Sequence, residues 1–285
     1  MLHADIAIFV PGALGGEPVV EHGGRRGWRQ GTSQWEIGRQ LLDSITPAPS
    51  GDAGALLWYR AASAHLFREG DLAELTAHLA RARRVFPQNA IFLFDSACLH
   101  QELSSPAIQA SVQQLRADDV SVGVNSRRSE LQRAEEFFQE ALALAPGDID
   151  GRVRLGHTLG ELGRHREAAA ELRRAIDAKP DAQRLYLAAL FLGRAEEALG
   201  RRDEARRRYE QAADLYPDAQ SPRLALSRLA RQTGDRASAQ RLLQTLAASD
   251  ADRIDPWWLF YEPHKDDAAA LMARMRRIGR AQPLR

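Results

Sequence analysis

The feature that most constrains the fold is a register of glycines and prolines that recurs along the chain. Glycine occupies four equivalent positions, and a proline follows the first three, giving Gly70 with Pro87, Gly163 with Pro180, Gly200 with Pro217, and finally Gly234. Glycine accepts the left-handed conformation in which helices often end, and proline prevents a helix from continuing. The register therefore predicts a series of helical hairpins, each with a glycine turn inside it.

The stretch RVRLGHTLGELGRHREAAAELRRAIDAKP, Arg152–Pro180, is the most complete copy of this unit. Small residues at Gly156 and Ala168 predict two helices that approach closely, and Leu172 fills the space that they leave. A single hairpin cannot bury its apolar face alone, so neighbouring units are expected to stack and share one core. Five units are recognisable, one of them split by an insertion and the last without its proline.

The offsets of Leu155, Gly156, Leu159 and Ala168 match the pattern W-x₂-L-G-x₂-Y…A-x₃-F…P and resemble the tetratricopeptide repeat family. The resemblance covers about residues 56–251 and is closest to bacterial members. It implies an all-α fold, a right-handed α-solenoid of about five helix-turn-helix repeats with an N-terminal helical cap and a C-terminal aromatic and helical cap. It also implies a concave groove, lined by the first helix of each repeat, that binds a peptide or a partner helix, and it implies no enzymatic activity.

The rest of the chain is interpreted as additions to this array. Residues 1–31 are rich in glycine and predict an extended or loosely ordered segment. Residues 32–251 hold the repeats, beginning with a capping helix at 32–45, and an insertion at residues 104–127 separates the two helices of the second repeat. Residues 252–285 predict a C-terminal cap that contains the densest aromatic cluster in the chain.

Two local patterns in these additions predict further helices. In the insertion, Ile108 and Val112 recur at a helical spacing after Pro106, which indicates a short amphipathic helix. Near the C-terminus, Asp255 can cap a helix that has Pro256 at its first position. Both patterns place the start of a helix beside a proline.

Composition and motifs argue against several classes of function. The 285 residues include 39 basic and 38 acidic side chains, and this balance gives no general reason to expect DNA or RNA as a partner. No apolar run is long enough for a membrane span, and Cys98 is the only cysteine, so a cytoplasmic protein is expected unless a leader has been removed. The histidines form no i, i+4 pair, and no nucleophile-elbow, phosphate-loop or dinucleotide motif occurs. No catalytic residue, cofactor or metal is therefore predicted.

Eight residues are candidates for partner binding, three of them arginines that could form a basic strip. Such a strip would pair with acidic or phosphorylated segments, since guanidinium groups bind carboxylate and phosphate through two hydrogen bonds, and the alternative is a solvated helix face. Some of the aromatic residues Trp257, Trp258, Phe260 and Tyr261 are expected to cover the exposed edge of the last repeat, while others remain partly accessible, and the alternative is an interface hot spot. The candidates are Arg60, Phe67, His157, Arg194, Arg228, Arg231, Trp257 and Trp258, with Arg194, Arg228 and Arg231 as the strip.

A non-enzymatic scaffold or adaptor is the function that these observations favour, with another protein or a peptide, for example an acidic one, as its partner. A nucleic-acid-associated regulator that uses the arginine strip is the alternative, and an enzyme with a site that no motif marks is a third hypothesis. Salt dependence separates the first two, because binding through several phosphates weakens steeply as the salt concentration rises.

Overall fold

The structure is a computed structural model that describes residues 53–117, 123–247, 255–260, 270–271 and 274. The predictions for residues 1–31 and for the helix at 32–45 lie outside these residues. The chain divides into two compact units between Leu99 and His100. The first unit contains the described residues up to Leu99 together with residues 270, 271 and 274, and the second is His100–Phe260.

The described residues form helices, as the all-α prediction requires. In chain order these are α1 (Ala53–Glu69), α2 (Leu72–Val85), α3 (Ala90–Leu103), α4 (Pro106–Ala117), α5 (Arg127–Leu144), α6 (Ile149–Glu161), α7 (His165–Asp177), α8 (Ala182–Ala198), α9 (Arg202–Leu215), α10 (Gln220–Gln232) and α11 (Arg236–Ala247), followed by the 3₁₀ turn Pro256–Leu259. The helices α6–α7, α8–α9 and α10–α11 are consecutive hairpins of the second unit. No helix in this part of the chain is both long enough and apolar enough to cross a membrane.

Small residues bring the two helices of a hairpin together, as predicted. A Cβ added to Gly156 on α6 would lie 2.5 Å from Cγ of Leu172 on α7. A Cβ added to Gly193 on α8 would lie at the same distance from Cε1 of Tyr209 on α9. Leu172 and Tyr209 are fully buried. In addition, α6 contacts α8, so the first helices of successive repeats form a continuous face.

The turns between paired helices require glycine. Gly163 and Gly200 have φ of 80° and 76°, a conformation that other residues adopt only with strain. After Gly163 the backbone N–H of Arg164 donates a hydrogen bond to the carbonyl of Leu159, and this bond caps the C-terminal end of α6. The start of α6 is closed by Asp148, whose side chain accepts a hydrogen bond from a backbone N–H of the first turn at 3.1 Å.

The insertion contains the predicted amphipathic helix, α4, whose residues Ile108 and Val112 are buried. The helix that completes the split repeat, α5, begins at Arg127, the last residue of the predicted insertion. This start has a local cause, since the hydroxyl of Ser126 caps α5 by accepting a backbone hydrogen bond.

Candidate partner-binding cleft

A cleft of about 400 Å³ lies on the face that the first helices of three consecutive repeats present. The C-terminal halves of α6, α8 and α10 line it, and the turns that follow α6 and α8 close one end. Its lining is mainly polar, with two carboxylates, three guanidinium groups and two imidazoles. These side chains are Glu161, Glu197, Arg194, Arg202, Arg228, His157 and His165.

Glu161 on α6 is held by cations from both neighbouring repeats. Nη2 of Arg194 on α8 lies 3.2 Å from Oε1, and Nη2 of Arg127 on α5 donates to Oε2. Burial would raise the pKa of Glu161, but His157, Arg194 and Arg127 together lower it below its ordinary value. Glu161 is therefore ionised at neutral pH, and its ion pairs connect three helices.

Glu197 on α8 lies in the next repeat, one residue before the position that matches Glu161. Arg228 on α10 donates to it through Nη2 at 2.7 Å and through Nε at 3.2 Å. The hydroxyl of Tyr209 donates at 2.8 Å, and the amide of Gln232 donates at 3.2 Å. Burial would raise the pKa of Glu197, but the hydrogen bonds from Arg228 and Tyr209 lower it. A second carboxylate is thus fixed in the wall of the cleft.

The predicted basic strip is therefore not purely basic, because Glu161 and Glu197 lie beside Arg194 and Arg228. The side chains of Arg194 and Arg228 are 49% and 55% exposed, and both line the cleft. Each is paired with a carboxylate, which neutralises part of its charge. Arg231 is exposed on α10 but is not one of the residues that line this cleft.

His157 forms the floor of the cleft and is 6% exposed. Its Nδ1 accepts a hydrogen bond from the side-chain amide of Gln101 at 3.2 Å, so the ring proton lies on Nε2, which is 4.0 Å from Oε1 of Glu161. Burial lowers the pKa of His157 to about 3, although the negative charge of Glu161 acts in the opposite direction and raises it. The ring is neutral at neutral pH and presents an aromatic surface instead of a charge.

The segment Asp255–Phe260 lies beside the cleft, and its acidic end is deeply buried. Oδ1 of Asp255 accepts hydrogen bonds from the hydroxyl of Tyr186 at 2.6 Å and from the N–H of Trp257 at 2.9 Å. Oδ2 accepts from the backbone N–H of Ser221 at 2.8 Å. The predicted capping role of Asp255 is confirmed for the short 3₁₀ turn. Burial, together with the hydrogen bond to Asp255, raises the pKa of Tyr186.

The other end of the segment enters an aromatic cluster. The centroid of the Phe260 ring lies 5.0 Å from that of His157, 5.2 Å from that of Phe191 and 5.1 Å from that of Trp257. Nη2 of Arg154 donates to the carbonyl of Phe260 at 2.5 Å, and its Cζ lies 4.4 Å from the ring centroid. Hydrogen bonding and a cation–π contact thus fix the same residue.

The repeat pattern in the structure agrees with a comparison of the sequence with known families. The model of the tetratricopeptide repeat matches residues 127–191 and 196–275, about half of the chain. This chain belongs to the tetratricopeptide repeat family. The comparison with curated proteins gives no match.

Two solved structures match this chain at low sequence identity, and the likeness in fold rests on the first of them. PilF from Pseudomonas aeruginosa is 16% identical, with 86% of this chain and 95% of that chain covered and a TM-score of 0.50. MamA from Desulfovibrio magneticus RS-1 is 20% identical, with 66% of this chain and 91% of that chain covered and a TM-score of 0.49. Identities this low describe the fold alone.

Of the candidate residues of this tetratricopeptide repeat protein, His157, Arg194 and Arg228 line the cleft. Arg60 and Phe67 belong to the first unit, where Arg60 is half-buried and Phe67 is buried. Trp257 is half-buried in the aromatic cluster, and the side chain of Trp258 lies outside the described residues. The capping prediction put some of the aromatic residues on the outer edge of the last repeat, whereas the described segment Asp255–Phe260 contacts α6, α8 and the start of α10. Phe260 therefore fills the face of internal helices.

Sequence reasoning missed Arg154 and Phe191 as contacts of this segment, and it missed the ion pairs that neutralise the arginines. For the ion pairs a signal exists. Glu161 precedes Arg194 by 33 residues and Glu197 precedes Arg228 by 31, about one repeat length. Residues one repeat apart lie side by side on stacked helices, so this spacing indicates neighbours of opposite charge.

Proposed function

We propose that this tetratricopeptide repeat protein is a non-enzymatic scaffold or adaptor that binds a segment of another protein in the cleft of α6, α8 and α10. The observation that carries this proposal is the cleft itself, which consecutive first helices line with oriented hydrogen-bonding groups. Proteins of this family are in general non-enzymatic scaffolds that bind other proteins. The proposal places that general role on a particular surface.

The charges of the cleft favour a partner segment with carboxylate groups. Three guanidinium groups line the cleft, those of Arg194, Arg202 and Arg228, against the carboxylates of Glu161 and Glu197. A guanidinium has five N–H donors, so Arg228 retains donors beyond the two that it gives to Glu197. The existing ion pairs already restrict the arginine side chains. A bound carboxylate therefore costs less side-chain conformational entropy than it would with freely moving arginines.

The experiment selects ligands for the purified chain from a library of displayed random peptides. We expect the selected peptides to be enriched in Asp and Glu, and we expect the double variant Arg194→Ala/Arg228→Ala to bind them at least tenfold more weakly, on the order of 1.4 kcal/mol. Fluorescence anisotropy with labelled peptides measures the affinity. The variant should remain folded, because exposed ion pairs contribute only about 0.2–1 kcal/mol each.

The matched control removes two arginines that form similar ion pairs outside the cleft. Arg174 on α7 pairs with Glu171, and Arg207 on α9 pairs with Glu204, each three residues apart on one helix. The variant Arg174→Ala/Arg207→Ala has the same change in net charge, so it reports any effect that comes from charge alone. Equal loss of affinity in the two double variants would show that the cleft is not the binding site.

The purified chain and the same anisotropy assay also test the alternative that the protein binds nucleic acid. Carboxylates next to Arg194 and Arg228 repel phosphates, which counts against this hypothesis. We expect a labelled DNA duplex to show no saturable binding at physiological salt, measured by the same anisotropy assay. Saturable binding that weakens steeply with salt would favour the nucleic-acid hypothesis instead.

A further inference from the structure

The segment Asp255–Phe260 contacts the helices as a bound peptide would. It consists of six residues and contains one short 3₁₀ turn. Its contacts with these helices are made by Asp255 at an acidic end and by Trp257 and Phe260 at an aromatic end, where the centroid of the Trp257 ring lies 5.3 Å from that of His157 and 5.2 Å from that of Phe191. The groups that receive it belong to α6, α8 and the backbone of α10.

The acidic end occupies a pocket built for a carboxylate. Asp255 is fully buried, and the hydroxyl of Tyr186 and the N–H of Ser221 each donate to a different oxygen of its side chain. The ring of Tyr186 is held independently of the segment by an edge contact with Tyr216, whose centroid lies 5.1 Å away. A buried carboxylate requires such donors; an apolar group would leave both of them unsatisfied, and a side-chain amide would accept from only one.

The aromatic end occupies a surface that is also held in place by other residues. Arg154 is 4% exposed, and its Nη1 donates to the side chain of Gln101 at 3.2 Å. This leaves Nη2 directed at the main-chain carbonyl of the segment. The rings of Phe191 and His157 lie 4.5 Å apart and contact each other as well as Phe260. The surface is therefore ordered by contacts that do not depend on the segment.

We infer that this surface is a binding site for a segment of a partner protein that carries a carboxylate and, two and five residues later, aromatic side chains. Asp255, Trp257 and Phe260 have this spacing and occupy the site in cis. A ligand on the same chain competes at an effective concentration of about millimolar, so a partner binds by displacing it. The inference goes beyond the proposed function, because it concerns the surface beside the cleft and defines its occupant by chemistry.

The test supplies the segment in trans. The probe is a fluorescent peptide with the sequence of residues 253–262, RIDPWWLFYE. The receptor is the full chain with Asp255→Ala and Phe260→Ala, which removes the carboxylate and the Phe260 ring of the cis segment and leaves the site intact. We expect this receptor to bind the probe at least tenfold more tightly than the unaltered chain does. A probe with Asp255→Asn should bind at least tenfold more weakly than the original probe.

Two further variants keep the result interpretable. Adding Tyr186→Phe to the receptor should weaken the original probe and remove most of its advantage over the probe with Asp255→Asn. If circular dichroism shows that the double variant is unfolded, the single variant Asp255→Asn serves as receptor, because it retains the aromatic end. That receptor should also bind the original probe more tightly than the unaltered chain does.

Three outcomes would overturn the inference. One is a folded receptor that binds the probe no better than the unaltered chain, and another is equal binding of the two probes. The third is a concentration-dependent dimer of the unaltered chain that Asp255→Ala abolishes, which would assign the site to a second copy of the chain. None of these results decides whether the cleft binds a partner, which is tested separately through Arg194 and Arg228.

Discussion

Replacing Gly193 by alanine tests the close packing on which the stacked repeats depend. The added Cβ would lie 2.5 Å from Cε1 and 2.6 Å from Cδ1 of Tyr209, both distances shorter than real Cβ contacts. The ring cannot move aside freely, because it is fully buried and its hydroxyl donates to Glu197 at 2.8 Å. The substitution therefore forces the two helices of the hairpin apart or displaces the hydrogen-bonded ring.

The expected loss of stability follows from two opposing contributions. Overpacking a filled core costs about 1–3 kcal/mol, whereas alanine in place of glycine within a helix gains up to about 1 kcal/mol. We expect Gly193→Ala to lower the free energy of unfolding by up to about 2 kcal/mol, the upper end of the difference between these contributions, because the contact is with a buried ring. Displacement of Tyr209 would also disturb Glu197 and so reach the wall of the cleft.

Gly160 provides a matched control on a first helix of the same unit. A Cβ added there would have the Cβ of Ala168 as its nearest neighbour, at 4.0 Å, which is ordinary contact. We expect Gly160→Ala to raise the free energy of unfolding by about 0.5–1 kcal/mol. Urea unfolding followed by far-UV circular dichroism measures both variants. Stabilisation by Gly193→Ala, or equal shifts in the two variants, would refute the packing argument.

Two other predictions concern buried polar groups of the second unit. Tyr186→Phe removes a hydrogen bond to the buried carboxylate of Asp255 and should lower the free energy of unfolding by about 1.5–3 kcal/mol, measured by urea unfolding. His157 has its pKa lowered from 6.5 to about 3, so the unfolded chain binds more protons between these values. The stabilising contribution of the neutral ring is present above pH 6.5 and is lost as the pH falls towards 3. His157→Gln should reduce the fall in stability between about pH 6 and pH 4 by up to about 1.4 kcal/mol per pH unit, and an unchanged slope would contradict the assignment.

The hairpins could be predicted because their determinants are local in the sequence. Gly163 marks a turn through its own φ, Asp148 caps a helix through a residue three positions away, and Pro180 closes the unit. The contact of Gly156 with Leu172 spans only 16 residues and repeats in the next hairpin. Interactions of this range leave a periodic signal that one sequence is enough to reveal.

The segment beside the cleft could not be placed from the sequence, because its partners are far away in the chain. The hydrogen bond from Tyr186 to Asp255 spans 69 residues, and that from Arg154 to Phe260 spans 106. In each pair one residue lies in a repeat and the other lies after the last repeat helix, so the repeat period does not connect the two. The order Asp255-Pro256 predicts a helix cap. A cap accounts for only one of the hydrogen bonds that the carboxylate of Asp255 accepts, and nothing in the sequence identifies the donors of the others.

The cleft and the segment cannot be energetically independent, because they share two side chains. His157 and Phe191 line the cleft and also contact Phe260. A ligand in the cleft that shifts either ring changes the affinity of the surface for Asp255–Phe260, and thermodynamic linkage requires release of the segment to change the affinity of the cleft by the same factor. A partner that displaces the segment would therefore also alter what the neighbouring arginines and glutamates bind.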